Sequence, residues 1–484
     1  MAQIPDDIFF AAIGEIAAKL RAKEFSAVEL TRAFCDRLER VGPRYNALAL
    51  SLREQAIRQA KDVDDEIKRE RFRPLTGIPW GAKELLAVHG QPTTWGAKPY
   101  AGQVFDEDAR VVAKLEKAGA ILIGKLAMVE LAGGGGYRYP AASLTGPGLN
   151  PWDRTRWSGG SSSGSGIATA AGLVTFAIGS ETSGSILTPS SYCGVTGLRP
   201  TYGLVSRRGA MALSWTLDKL GPLCRSAEDC GLVLQVIAGG DSDDPGSAGR
   251  NFNYAPQYAR KPADLTIGYA PVDFEEWADP SARAELKGGL EAMKSMGMKM
   301  REVELPDFPY GPLVNTVING EAGSIFEDLI RSGRIDQLAD KRQIAGFKAM
   351  LDLPASEYLR AMRIRSEVQD AFRKLFLDVD LLLTPARLTP APKISEPLDG
   401  GPTRAGTPAG TGRAQPASRG LSAMIPAGNL AGLPAISLPC GFAEKMPVAI
   451  SLVGRPFWEN QLIATGRMFQ SQTDWHRKRP PVTG

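Results

Sequence analysis

The chain has 484 residues, 57 of them basic and 53 acidic, for a formal charge of +4. Its 43% hydrophobic and 23% charged content is that of a globular protein, and so dilute a net charge excludes a nucleic-acid groove built on charge alone. Two histidines, and five cysteines without a CxxC pair, leave no basis for a histidine metal site or a disulfide framework, so no metal is expected.

The N-terminus opens Ile4-Pro5-Asp6-Asp7 and its apolar stretch is broken by Glu15, which reads against a signal peptide. No run approaches the roughly 18 apolar residues of a membrane span. A cytoplasmic protein without a membrane partner is expected. Residues 10–70 read as helices: Phe10, Ile13, Ile16 and Leu20 share one face, and Ser26-Ala-Val-Glu29 has capping-box spacing. Leu30, Phe34 and Leu38 follow at intervals of four, and the charged stretch 52–70 suits an exposed helix.

From about residue 76 the pattern turns to α/β. A helix is predicted over 108–118, a break at Gly119 and a buried strand over Ala120–Ile123. Gly239 to Pro262 reads as a long loop, and 282–299 and 355–377 as helices. The low-complexity stretch 400–420 reads as a surface loop within one fold, at a site entrance, because strand-like sequence resumes at Ala435–Leu438 and Val448–Leu452. The densest basic run, His476–Arg479, reads as a solvated tail. One domain over 1–484 is expected, with a helical segment 1–70, a core 76–240, more variable helices and loops 241–420, and C-terminal strands and a helix 421–484.

The most unusual stretch is 158–191. Ser158-Gly-Gly-Ser161-Ser-Ser-Gly-Ser-Gly166 and Gly179-Ser-Glu-Thr182-Ser-Gly-Ser185 flank a run too apolar to lie exposed between linkers. Glycine lets backbone N–H groups crowd around one point, which suits an anion or a developing oxyanion. Neither GxxxxGK[ST] nor GxGxxG occurs here, which reads against a phosphate cradle. Gly160-Ser-Ser162-Ser-Gly164 matches the G-x-S-x-G nucleophile elbow, but the only histidine downstream is His476, in the basic tail. A serine can instead use lysine as its base, and although no S-x-x-K occurs, Gly77-Ile-Pro-Trp-Gly-Ala-Lys83-Glu84 places a lysine after a short apolar stretch. Alone, that lysine is no more than an ordinary surface charge.

Together these segments resemble the amidase signature family. Its G-I-P stretch ending in lysine is similar to Gly77–Lys83, its G-G-S-S-G-G-S loop to Gly159–Ser165, and its D-T-G-G-S-I-R motif to Glu181–Leu187. Asp380–Pro385, Asn429–Pro434 and Gly454-Arg-Pro-Phe resemble further family signposts, so the likeness runs over nearly the whole chain. The resemblance implies an α/β fold with a large mixed central sheet flanked by helices on both sides, and no cofactor. It also implies a triad of Ser185 as nucleophile, Ser161 as bridging serine behind a cis Gly160–Ser161 bond, and Lys83 as base. The backbone N–H groups of Thr182, Ser183, Gly184 and Ser185 would form the oxyanion hole. Free lysine titrates near roughly 10.4, so Lys83 must be desolvated to serve near neutral pH.

Three departures bear on the substrate. Ser183 stands for the second glycine of the family motif, Glu181 for its aspartate and Leu187 for its arginine. A lost arginine removes a cation that could anchor a carboxylate or organise the loop. With Trp80, Met128 and Trp215, Leu187 could furnish an apolar pocket, and Gly133 and Gly134 are further substrate-binding candidates. The expected function is hydrolysis of a small-molecule amide, anilide or carbamate (urethane), with some ester cleavage, by a monomer or homodimer. The alternatives are the glutamine-hydrolysing subunit of a tRNA-dependent amidotransferase, a Ser-His-Asp esterase and a binding protein without activity.

Overall fold

Strands buried at every position must be covered on both faces, because successive side chains point to opposite sides of a sheet. In the computed structural model, which describes residues 4–136, 139–398 and 420–482, that is the state of most strands. The strands are β1 (Leu48–Ser51), β2 (Pro79–Lys83), β3 (Ile121–Leu126), β4 (Phe176–Glu181), β5 (Thr196–Arg199) and β6 (Lys219–Cys224), then β7 (Thr266–Tyr269), β8 (Lys299–Glu302), β9 (Leu381–Pro385), β10 (Ala435–Ala443) and β11 (Met446–Gly454). Every residue of β2 to β6, β9 and β11 is buried.

All eleven form one sheet in the order β1-β3-β2-β4-β6-β5-β10-β11-β9-β7-β8. The neighbours β3, β2 and β4 run parallel on one flank, and β9, β7 and β8 on the other. Between them β4-β6-β5-β10-β11-β9 is antiparallel. This is a large mixed α/β sheet with helices against both faces, as expected.

The helices Ile13–Arg21, Ala27–Val41 and Arg53–Lys68 match the N-terminal reading, and Ser26 and Glu29 exchange both bonds of the capping box. The segment is not wholly helical, however. Between a 3-10 turn ending at Asn46 (φ 54) and the third helix, β1 adds to the edge of β3, too short for its alternation to register. The helix Tyr310–Ile325 is obscured in the sequence by Pro312, Gly320 and Gly323. Pro312 sits harmlessly in the first turn, and a Cβ at Gly320 would stand 2.7 Å from the Tyr358 ring, so the glycine serves close packing. The tail is docked: Arg225 donates to the carbonyls of His476 and Lys478, and Arg479 pairs with Asp7. The stretch 400–420 lies, but for Gly420, outside the described residues. Among the described residues no helix is long and apolar enough to cross a membrane.

Candidate active site

Parallel pairing of β2 with β4, in register Trp80 with Phe176 and Ala82 with Ile178, brings the C-terminal ends of both strands together. Ligand sites of parallel sheets form at such ends. Lys83 is the last residue of β2, and Ser180 and Glu181 are the last two of β4. The helix Ser163–Ala170, which leads back into β4, starts beside them and carries Ser161 just ahead of its first turn. Gly164 makes that approach possible: a Cβ there would lie 2.5 Å from the Ala127 nitrogen and the Ala47 oxygen.

Lys83 is fully buried, and its Nζ lies 2.8 Å from Ser161 Oγ and 2.9 Å from Ser180 Oγ. The Gly160–Ser161 bond is cis. Burial lowers the Lys83 pKa to about 7, although Asp218 and Glu181 pull the other way. A neutral amine is thus available near neutral pH. A second buried pair steadies the end of β2: Glu84 accepts from the N–H groups of Thr94 (2.5 Å) and Gly96 (3.0 Å), and Lys125 lies 3.7 Å from it.

Thr182–Ser185 bridges β4 to the short helix Leu187–Cys193. Glu181 Oε2 accepts from the N–H groups of Ile186 (2.9 Å) and Leu187 (3.0 Å). Its Oε1 accepts from Arg199 Nη1 (2.9 Å) and Asn429 Nδ2 (2.8 Å). Thr182 Oγ1 donates to Asp218 at 2.6 Å. Gly184 has φ +90, a conformation that side chains rarely adopt, and the Ile425 and Thr188 side chains stand at 3.1 and 3.2 Å from where a Cβ would be. The N–H groups of residues 182–185 donate to no other described residue, and the hydroxyl of Ser185, a residue 8% exposed, likewise makes no hydrogen bond to one. The structure therefore joins Lys83 and Ser161 directly, and places Ser185 in the adjoining loop without a hydrogen bond to either.

The arginine absent at position 187 does not leave the loop without a cation. Arg199 of β5 supplies one across the sheet, and the longer Glu181 side chain meets it. Ser162 donates to the Ser180 carbonyl and accepts from its N–H, so the G-x-S-x-G match marks a stitch between helix and strand. Neither histidine lies with the serines: His89 faces Asp106 at the surface, and His476 sits beside Arg225.

A cavity of about 210 Å³ adjoins the site, lined by Ser180, Thr182 and Asp218 on one side and by Leu85, Ala132, Met211, Leu213 and Trp215 on another. Arg207 and Asp244, ion-paired at 2.6 Å, also line it. Of the expected pocket residues, Trp215 alone is in this wall. Trp80 is buried and stacked on Phe176 (centroids 5.8 Å apart), and Met128 is fully buried. Leu187 packs in an apolar cluster with Leu217, Met424 and Leu430. Gly133 and Gly134 do not line the cavity; Gly134 instead lets the chain close on Leu213 and Phe347, 2.6 and 2.8 Å from where a Cβ would be. The sequence reading missed Asp218 and Arg199, and gave no role to Ser180, a member of the 179–185 run, or to Asn429, which it named only as the start of the 429–434 signpost.

A chain with a buried lysine–serine pair under a glycine-rich loop, on a large mixed sheet, has the build of an acyl-transfer enzyme. A family model described as Amidase matches residues 29–463, and the chain belongs to the amidase family, the amidase-signature enzymes acting on C–N bonds. It is 36% identical to the A subunit of glutamyl-tRNA(Gln) amidotransferase from Geobacter sp. (strain M21), over 98% of this chain and 100% of the relative. Among solved structures it resembles a protein of a vestigial complex bearing on the origins of an s-triazine catabolic enzyme (TM-score 0.83, 30% identity, 96% of this chain and 98% of that one). It also resembles the native peptide amidase of Stenotrophomonas maltophilia (TM-score 0.80, 27% identity, 98% of each chain).

Proposed function

We propose that the chain hydrolyses C–N acyl bonds through an acyl-enzyme on Ser185, with Ser161 as proton relay and Lys83 as base. The observation that carries this reading is the buried Lys83 amine on Ser161. Ser185 Oγ would attack the acyl carbon as its proton passes through Ser161 to Lys83. The four N–H groups of residues 182–185 would receive the developing oxyanion. The same relay returns the proton to the departing amine, and water then attacks the acyl carbon, releasing the acid and restoring Ser185. The apolar part of the cavity wall supports amides, anilides or carbamates as substrates.

A second reading, the glutamine-hydrolysing subunit of a tRNA-dependent amidotransferase, is favoured by the curated relatives. Their names support it more directly than any relative's name supports a carbamate. It would require a partner protein, whereas the first reading requires none. Amine release from a primary amide, an anilide, an aryl carbamate and glutamine, with Ser185→Ala as control, separates the two. Release from the anilide or carbamate by the chain alone, lost in the variant, is the expected result. Release from glutamine alone would favour the second reading, and equal release by the variant would remove Ser185 from the mechanism.

A further inference from the structure

An aromatic side chain left 42% exposed on a loop ordinarily has freedom to move, yet Trp215 stands on a loop with little freedom left. The N–H groups of Leu213 and Ser214 both donate to Asp218, at 2.8 and 2.9 Å. Ser214 Oγ and Thr216, through both N–H and hydroxyl, donate to the fully buried Glu321. The Trp215 carbonyl accepts from Tyr202 Oη at 2.7 Å and from Arg207, and the Thr216 carbonyl accepts from Arg365 at 2.7 Å. The Leu217 carbonyl accepts from Lys219, and the N–H groups of Leu217 and Asp218 close a turn on the Ser214 carbonyl. Two carboxylates and four other side chains, drawn from residues 202 to 365, thus hold a five-residue loop whose largest side chain contacts none of them by hydrogen bond. The backbone that carries the indole is thus fixed in the fold, which lowers the ordering cost of a contact made by its ring.

The ring lines a cavity of about 210 Å³, somewhat more than the about 150 Å³ that accommodates a benzene molecule in a protein interior. We propose that Trp215 is a specificity-determining residue that selects substrates whose acyl or amine portion is a single aromatic ring. Offset or edge-on packing against the indole adds attraction that a methyl group in the same place cannot draw on. The same volume is polar at Ser180 and Thr182, which adjoin Lys83 and the 182–185 loop, and apolar at Met211 and Leu213, so a bound ring would meet one apolar wall. This inference rests on the Ser185 reading.

The test compares phenylacetamide with propionamide, and acetanilide with N-methylacetamide, in the wild type, Trp215→Phe and Trp215→Ala. The expected result is a wild-type preference in kcat/KM for the aryl member of at least one pair. That preference should fall about tenfold or more in Trp215→Ala, with the alkyl member changed less than about threefold, and be largely kept in Trp215→Phe. An equal loss on aryl and alkyl members, or no aryl preference in the wild type, overturns the proposal. Binding of phenylacetamide and acetanilide by calorimetry to Ser185→Ala, with and without Trp215→Ala, gives a readout that needs no turnover. An affinity about tenfold weaker without the indole supports the proposal, and equal affinities overturn it. If wild type and Ser185→Ala are equally inactive on every amide while the ring still binds through Trp215, the acyl-enzyme reading fails and the assignment of the wall stands.

Discussion

Replacing Lys83 with methionine should lower kcat/KM about 10²–10⁴-fold at neutral pH, the range that a positioned general base contributes. In the proposed mechanism no other group takes the proton from Ser161: the near hydroxyl, Ser180, shares the same amine at 2.9 Å and titrates far too high to serve. The pH profile carries more information than the loss itself. Burial holds the Lys83 pKa at about 7, and only the neutral amine can accept a proton. Wild-type kcat/KM should therefore fall about tenfold per unit below pH 7 and level off above about pH 8. Stopped-time assays across roughly pH 5.5–9.5 on any substrate found active check this. A flat profile through pH 7, or a Lys83→Met variant of undiminished activity, would remove the lysine from the proton relay.

The same burial has the opposite effect on stability. The Lys83 pKa is about 7 in the fold against 10.5 when free, so the unfolded chain binds more protons between these values. Stability supplied by this group thus declines as pH falls from about 10.5 to 7 and stays low below. Methionine, of similar length and without charge, escapes that penalty. The melting temperature of Lys83→Met relative to wild type should accordingly be more favourable at pH 6 than at pH 10, in keeping with the trade of stability for activity at functional sites. Parallel melts at the two pH values measure it, and a relative melting temperature that is higher at pH 10 would contradict it.

What could be read from the chain, and what could not, divides along a physical line. Gly159–Ser165 and Glu181–Ser185 were legible because backbone geometry restricts residue type there: Gly184 needs φ +90, and Gly164 has no room for a Cβ. Strands β3, β10 and β11 announce themselves through the short apolar stretches at Ala120–Ile123, Ala435–Leu438 and Val448–Leu452. The cavity wall does not, since hydrophobicity alone does not say which way a side chain points. Trp80 satisfies every requirement of a pocket residue and is stacked on Phe176 in the core. Leu187 reads as part of an opened pocket because it stands where a cation is expected, but the cation comes from β5, and only the pairing β5-β10 with β5-β6 could place it. The clamp around Trp215 likewise draws on Glu321 and Arg365, more than 100 positions away, which no local pattern signals.

Disrupting the Glu181–Arg199 pair should have the largest effect on stability of any change near the site. Both side chains are fully buried, at 2.9 Å, and Glu181 also holds two backbone N–H groups that follow Ser185. Removing one partner of such a pair leaves an uncompensated charge and costs about 3–5 kcal/mol. Arg199→Met would leave the Glu181 carboxylate with Asn429 and two N–H donors. Glu181→Gln would leave the arginine facing Lys219, which pairs with position 181 across β4 and β6 and is itself fully buried. Each single variant should therefore melt well below wild type, and kcat should drop more than KM rises, because the loop that carries Ser185 loses its brace. The double variant Glu181→Gln, Arg199→Met should be less destabilised than the sum of the singles, since the unpaired charge is then gone from both sides. Acidity offers an independent check. Burial raises the Glu181 pKa, but Arg199 and the Asn429 and Leu187 bonds outweigh it and hold the group at about 2, below its free value of 4.5. A carboxyl so depressed stabilises the fold above about pH 4.5, and this contribution is lost as pH falls toward 2. Between those limits wild-type stability should decline more steeply than that of Glu181→Gln, so denaturant midpoints measured at pH 5 and pH 3 should converge in the two proteins. Midpoints that stay the same distance apart would mean that Glu181 braces the loop through its shape and hydrogen bonds rather than through its charge.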